Sequence, residues 1–272
     1  MARIAVIADI HGNLEALEAV LEDIDKQKNI SKVYSLGDNV GYGASPVAVL
    51  EVLQERGIRS LIGNHEAAIM GILDFEEEFN SRNAVKATYW TVELLKEHGV
   101  DVEQSPFFNG AGFSMSPSKA PRAVMTHSTL TNPEAFDYIV RPEIAETRQL
   151  ALKEFRHMKR KGIPLAFFGH SHEAVIVRCD YGFATIEIAV PNFIKKKRSY
   201  TYRLTKEEMW MVNVGSVGQP RDGDPRACYL VYDTSRNTVT YYRIEYDVDT
   251  AFNKIMEAGL PEVYAVRLRA GR

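Results

Sequence analysis

The chain is poor in cysteine: 272 residues carry two, Cys179 and Cys228. Two cysteines do not make a disulfide framework, and they fit a reducing compartment, where a free thiol usually serves as a small buried apolar residue. Long apolar runs are missing as well. None approaches the roughly 20 residues of a membrane span. The apolar stretch before Asp9 is only about five residues, too short for the core of a secretion signal. Nor is there an excess of positive charge. The formal net charge is −3, so extended nucleic acid is not an expected partner. Internal repeats, low-complexity segments and linkers are absent too. The expectation is a soluble, cytoplasmic protein with one domain over residues 1–272 and no membrane partner. An exposed strand edge in the second half leaves a homo-oligomer open.

What is present is a regular alternation. RIAVIA (3–8), KVYSLG (32–37) and IRSLIG (58–63) read as short buried strands. Between them Leu14, Leu17, Val20, Leu21 and Ile24 repeat at helical spacing, and Pro46 opens a helix to about Arg56. Further helices are expected at 84–98 and from Glu143 to Lys161, with strands RAVMTH (122–127) and PLAFFGH (164–170). The first half thus reads as right-handed βαβ units on a parallel sheet. From Ala174 onward AVIVRCD, FATIEIAV, SYTYRL, MWMVNVG, ACYLVYD and TVTYYRIEY read as short antiparallel strands, with a closing helix at 248–259. The pattern predicts two packed sheets.

Five apparent strands end in a polar cluster: Asp9-Ile10-His11, Gly37-Asp38-Asn39, Gly63-Asn64-His65-Glu66, His127-Ser128 and Gly169-His170-Ser171-His172. Loops at the carboxyl ends of strands in an open α/β sheet converge on one crevice. Five of the seven histidines lie in these clusters, and the other two, His98 and His157, read as solvated helix residues. Imidazole, carboxylate and carboxamide together suit divalent metals such as Mn, Fe, Zn, Co or Ni. No cysteine lies in the clusters, so a closed structural zinc site is disfavoured. Asp9, His11, Asp38, Asn64, His127, His170 and His172 are too many ligands for one ion, and two ions sharing a bridging carboxylate would use them. In extended backbone, residues i and i+2 share a face, so Asp9 and His11 would reach one ion together. Each cluster alone has a plainer reading: an N-cap aspartate, a turn, a core histidine. Their order, each after a strand, is what argues for a site.

The ordered set Asp9-x-His11, Gly37-Asp38, Gly63-Asn64-His65-Glu66, His127 and Gly169-His170-x-His172 resembles the calcineurin-like metallophosphoesterase superfamily. NVGSVGQPRDGDPRACYLVYD (213–233) is similar to a small prokaryotic phosphodiesterase branch of it. The resemblance implies an α/β (α+β) four-layer α/β/β/α sandwich of two mixed sheets, with two divalent ions, Mn ahead of the others. It implies that Asp9, His11 and His172 hold the first ion, that Asn64, His127 and His170 hold the second, and that Asp38 bridges them. His65 would contact substrate, together with Asn64, and act as general acid, with Glu66 orienting its loop. The expected reaction is hydrolysis of a small phosphodiester or nucleotide by in-line attack of a metal-bridging hydroxide, with inversion at phosphorus.

One departure narrows the substrate. Protein Ser/Thr phosphatases and symmetric diadenosine tetraphosphatases usually read GD-x-x-x-R-G, where this chain has GDNVGYG with Tyr42 in the arginine's place. A strong donor for a terminal phosphate is missing, which favours diesters over monoesters. Arg221 and Arg226 are candidates to replace it or are surface turn residues. Phe136 or Tyr138, in STLTNPEAFDYIV (128–140), would stack a base or fill the core. Lys195, Lys196, Lys197 and Arg198 would attract a polyanion or simply charge a strand edge. The alternative activities are a phosphomonoesterase or a dinucleoside polyphosphate hydrolase. A non-enzyme alternative is a metal-bound protein-interaction scaffold like the retromer subunit of this fold. The complete ligand set argues against it.

Overall fold

The computed structural model describes residues 2–102, 105, 107, 108, 110–139, 145–191 and 197–272. In chain order these form β1 (Arg3–Ile7), α1 (Leu14–Lys26), β2 (Ile30–Ser35), α2 (Pro46–Glu55), β3 (Arg59–Ser60), α3 (Asn64–Ile69), α4 (Phe75–Glu78) and α5 (Arg82–Glu97). There follow β4 (Ser114–Met115), β5 (Ala123–Thr126), a 3-10 turn at Pro133–Ala135, α6 (Ala145–Lys161), β6 (Leu165–Phe168), β7 (Ala174–Asp180) and β8 (Ile186–Ala189). The chain ends with β9 (Ser199–Arg203), β10 (Glu208–Val214), β11 (Ala227–Asp233), β12 (Thr238–Ile244), α7 (Val248–Glu257) and α8 (Glu262–Ala270). No helix among the described residues is long and apolar enough to cross a membrane.

The strands make two six-stranded sheets, in the orders β3-β2-β1-β11-β12-β9 and β4-β5-β6-β10-β7-β8. Side chains alternate across each strand, and the sequence exploits it. Ile4 and Val6 of β1 face the second sheet, where Phe167, Ile176 and Val212 meet them in the core between the sheets. Ala5 and Ile7 face the other way, onto Leu17, Val20 and Ile24 of α1 and Val49 and Leu53 of α2. In β6, Leu165 and Phe167 point inward, while Ala166 and Phe168 pack under Phe155 and Met158 of α6. The layers are therefore helix, sheet, sheet, helix. Asn13 starts α1 by accepting from Ala16 N at 3.1 Å, and Pro46 opens α2.

The second half does not form a sheet of its own. β11, β12 and β9 extend the first sheet beside β1, and β10, β7 and β8 extend the second beside β6. The β6–β10 pair is parallel and joins the two halves into one sheet, mixed because β4–β5, β10–β7 and β7–β8 are antiparallel. The third strand is only two residues long, because IRSLIG leaves the sheet after Ser60. The closing helix is a pair, α7 and α8. Cys179 and Cys228 are buried and free. They sit in different cores, Cys179 under α6 and Cys228 between the sheets. His98 caps the end of α5 exposed, and His157 is half-buried on α6. Val140, Glu143, Lys195 and Lys196 lie outside the described residues.

Phe167 is fully buried between the sheets. Its truncation to alanine removes contacts on both and is expected to cost about 3–5 kcal/mol of unfolding free energy. Chemical denaturation followed by circular dichroism reads this directly, and a loss under about 1 kcal/mol would show that the sheets do not share this core.

Candidate metal centre

β1 and β2 run parallel, as do β5 and β6, so their carboxyl ends deliver four loops to the seam between the sheets. The loops are tied together beyond the strands. Asp9 N donates to Gly37 O at 3.0 Å, His11 N to Asp38 O at 2.9 Å, and Gly169 N to His127 O at 2.9 Å. The segment after β10 closes the third side. Ser216 Oγ donates to Asp9 O at 2.7 Å, Asn213 Nδ2 to Gly169 O at 2.7 Å, and Arg221 N to His172 O at 3.1 Å.

Donor atoms of Asp9, His11, Asp38 and His172 lie within 4.8 Å of one another, and so do those of Asp38, His127 and His170. Asp38 belongs to both groups. Its Oδ2 is 3.2 Å from His127 Nε2 and 3.8 Å from His11 Nε2. Asp9 Oδ1 is 3.5 Å from His172 Nε2. All seven residues named from the sequence are buried.

The residues fit a cation on three counts. His11 Nδ1 faces Val40 O at 3.2 Å, His127 Nδ1 faces Leu36 O at 3.0 Å, and His172 Nδ1 faces Gln219 O at 2.6 Å. A carbonyl only accepts, so each Nδ1 carries a proton, and in the uncharged rings of His11 and His172 this leaves Nε2 a bare lone pair. His11 Nε2 and His172 Nε2 then stand 3.0 Å apart, lone pair to lone pair. Burial and neighbouring positive charge hold both rings well below the ordinary imidazole range, so no proton relieves the clash. Second, Asn64 Oδ1 is buried without a hydrogen-bond partner, a costly state that a metal would relieve. Third, His127 is pushed up to about 9: burial opposes this, and the carboxylates of Asp38 and Asp9 prevail. Asp38 shows the converse. Burial raises it, and the imidazoles of His127, His65 and His11 bring it well below the usual carboxylate range. The cluster is thus built around missing positive charge. Imidazole with carboxylate and amide oxygen suits Mn, Fe, Zn, Co or Ni.

Backbone geometry differs from the extended form expected of Asp9 and His11. β6 ends at Phe168, and His170-Ser171-His172 is a turn. Asp9, His11, Asp38, His170 and His172 all have φ between 50° and 65°, the left-handed region that costs non-glycine residues energy. Left-handed turns, not a shared strand face, aim alternate side chains into the seam.

His65 is 2% exposed, and its amide donates to Asp38 Oδ1 at 2.9 Å. Its ring lies edge-on to His11 at 4.9 Å and to Tyr42 at 4.4 Å. Burial above all, with Arg221 and His127 adding to it against Asp38, lowers it to about 4. The ring is therefore neutral at pH 7 in the free site, where the sequence suggested a protonated acid. Glu66 does more than orient its own loop. It accepts from Asp38 N and Asn39 N at 2.7 Å each and from Gly63 N at 2.9 Å, pinning the Asp38 loop to the Asn64 loop.

Arg221 reaches the site and Arg226 does not. The Arg221 charge lowers the pKa of His11, His65, His170 and His172, and its Nε is buried without a partner. Arg226 is bound to Asp224 at 2.5 Å. Arg198 is paired with Asp23. Phe136 is buried beside Ile62 and Ala67, whereas Tyr138 stacks on His170 at 3.9 Å and is half exposed. Sequence reading missed three supports: Phe79, 5.1 Å from the His65 ring; Tyr264, 4.4 Å from Tyr42; and the Gln219 carbonyl. The Phe pair in DFEEEF was the one available signal. A backbone carbonyl leaves none.

A family model described as Calcineurin-like phosphoesterase matches residues 2–174. An uncharacterized protein of Methanocaldococcus jannaschii is 32% identical over 272 residues, covering 99% of this chain and 98% of its own. Among solved structures, a metallophosphoesterase from Sphaerobacter thermophilus superposes with a TM-score of 0.79 at 31% identity, covering 100% of this chain and 99% of its own. A hypothetical protein from Pyrococcus horikoshii superposes with a TM-score of 0.75 at 20% identity, over 100% and 99% of the two chains, a likeness of fold.

Gly63 explains the glycine before Asn64: a Cβ there would overlap Asp38 Oδ1. Gly63→Ala is expected to displace the Asp38 carboxylate and lower bound metal, read by elemental analysis, at least tenfold in affinity with the circular dichroism spectrum unchanged. Full metal content in the variant would show that the carboxylate can move freely.

Proposed function

The chain belongs to the calcineurin-like phosphoesterase family, and we propose that this metal-dependent phosphoester hydrolase cleaves a small phosphodiester. The observation that carries the reading is Asp38, one buried carboxylate shared by two donor groups. Asp9, His11 and His172 are assigned to one divalent ion, Asn64, His127 and His170 to a second, and Asp38 to both, with Mn ahead of Fe, Zn, Co or Ni. When bound, two such ions supply Lewis acidity and a water that is nucleophilic at neutral pH. The protein's own part is positional. The carbonyls of Val40, Leu36 and Gln219 fix three ring tautomers, and Glu66 fixes the bridging loop.

Arg221 is assigned to a non-bridging phosphoryl oxygen, the acceptor its buried Nε lacks. Its single charge matches the single charge of a diester. Tyr42 supports the same preference: it fills the place of a second cation with an aromatic ring packed against His11 and His65. His65 is assigned to the leaving oxygen. Neutral in the free site, it becomes a proton donor as the anionic ester beside it raises its pKa. The enclosed seam, rather than a broad basic face, favours a small substrate.

Chelator-stripped protein reconstituted with Mn²⁺ is expected to hydrolyse an aryl phosphodiester faster than the matched monoester, and Asp38→Asn to abolish both. Preferred monoester cleavage would instead support a phosphatase. Metal binding without turnover would support a narrow-specificity enzyme or an interaction scaffold. His65→Ala, with metal content retained, is expected to lower kcat by about 10²–10⁴ for methyl phenyl phosphate and much less for methyl p-nitrophenyl phosphate, whose leaving group needs no proton. An equal loss on both esters would remove the acid role.

A further inference from the structure

Tyr138 stands at the mouth of the cluster, and no role above uses it. Its ring stacks on His170 with centroids 3.9 Å apart and planes 26° apart, yet the residue is 50% exposed. One face is spent on His170, and the other is open.

The loop that carries it is held firmly. Glu154 of α6, fully buried, accepts from the amides of Leu130 and Thr131 at 2.6 and 3.2 Å and from the Thr131 hydroxyl. Thr129 Oγ1 donates to Asn132 O at 2.9 Å, and Ser128 Oγ to Pro133 O at 3.2 Å. Phe136 takes a left-handed φ of 49° and plugs its ring beside Ile62 and Ala67. Tyr138 follows two residues later, so its ring is presented from an anchored base. Preorganised aromatic surface binds planar groups at low entropic cost.

The neighbours define what would lie on that open face. The Arg221 guanidinium is beside the Tyr138 hydroxyl, and its Nε awaits an acceptor. A phosphate on Arg221 would therefore place the adjoining arm of the ester against Tyr138. His65, assigned to the leaving oxygen, packs on the His11 side of the cluster, whereas Tyr138 packs on the His170 side. The arm over Tyr138 is the one retained after cleavage.

Resting on the phosphodiesterase reading, we infer that Tyr138 is the specificity-determining residue of this site. Its open face takes a planar, unsaturated group, of which a nucleobase is the type, on the retained arm of the ester.

The test compares two esters with one leaving group, thymidine 5′-(p-nitrophenyl) phosphate and methyl p-nitrophenyl phosphate, on the full chain with Mn²⁺. Wild type is expected to favour the thymidine ester in kcat/KM by roughly 10–100-fold, the size of one base stacked on an aromatic side chain. Tyr138→Phe, which keeps the ring, is expected to keep that ratio. Tyr138→Leu, which still covers His170 but cannot stack, is expected to bring the ratio to within roughly threefold of unity. A wild-type ratio near one would overturn the inference. So would a Tyr138→Leu loss that is equal on both esters, since Tyr138 would then only support His170. Failure of the underlying reading looks different: neither ester is cleaved although metal is bound, or p-nitrophenyl phosphate is preferred, and either result overturns both.

Discussion

Bare imidazole lone pairs aimed at one another are the constraint on which this structure depends. His11 Nε2 and His172 Nε2 meet at 3.0 Å, with their other nitrogens committed to carbonyls. Such an arrangement is repulsive without a cation, and it is held in place by groups that gain nothing from it. Glu66 spends a buried carboxylate on amides of two loops. Five of the candidate ligands sit in left-handed backbone, which costs on the order of 1–3 kcal/mol at each. The two sheets, with their apolar seam of Ile4, Val6, Phe167 and Val212, supply the packing that keeps these loops together.

Much of this is legible in the chain. The alternation in RIAVI and LAFF fixes which residues face the inner core, because period two is a property of the strand itself. The polar clusters at the ends of these strands announce a shared crevice. What the sequence hides is non-local. β11 pairs with β1 at Arg3↔Asp233, and nothing in ACYLVYD says that its partner lies at the far end of the chain. The same applies to the β6–β10 pair, which joins the two halves of the second sheet. Asp9 and His11 were expected to share a face of extended backbone, and both are left-handed instead. Periodicity speaks for extended backbone, and it is silent where a turn of left-handed residues does the aiming. The neutrality of His65 is likewise invisible, since it comes from burial.

The two arginines of QPRDGDPRA separate for a related reason. They look alike in sequence, but Arg226 has Asp224 two residues away and closes a local ion pair. Arg221 has its backbone tied to His172, and its charge acts on the histidines of the candidate metal centre. Tyr42 and Tyr264 complete the same wall, linking the C-terminal helices to His11 and His65.

The pairing of β1 with β11 also has a consequence for synthesis. β1, with Asp9 and His11 after it, leaves the ribosome before β11 does. That antiparallel partner and the Asn213–Arg221 wall emerge some two hundred residues later. Until then the first sheet lacks a central strand, and His172 lacks the Gln219 carbonyl that sets its tautomer. Contacts of such long sequence separation form slowly. The candidate metal centre is thus assembled from distant parts of the chain, and its geometry waits on the later strands however many of its histidines have already been made.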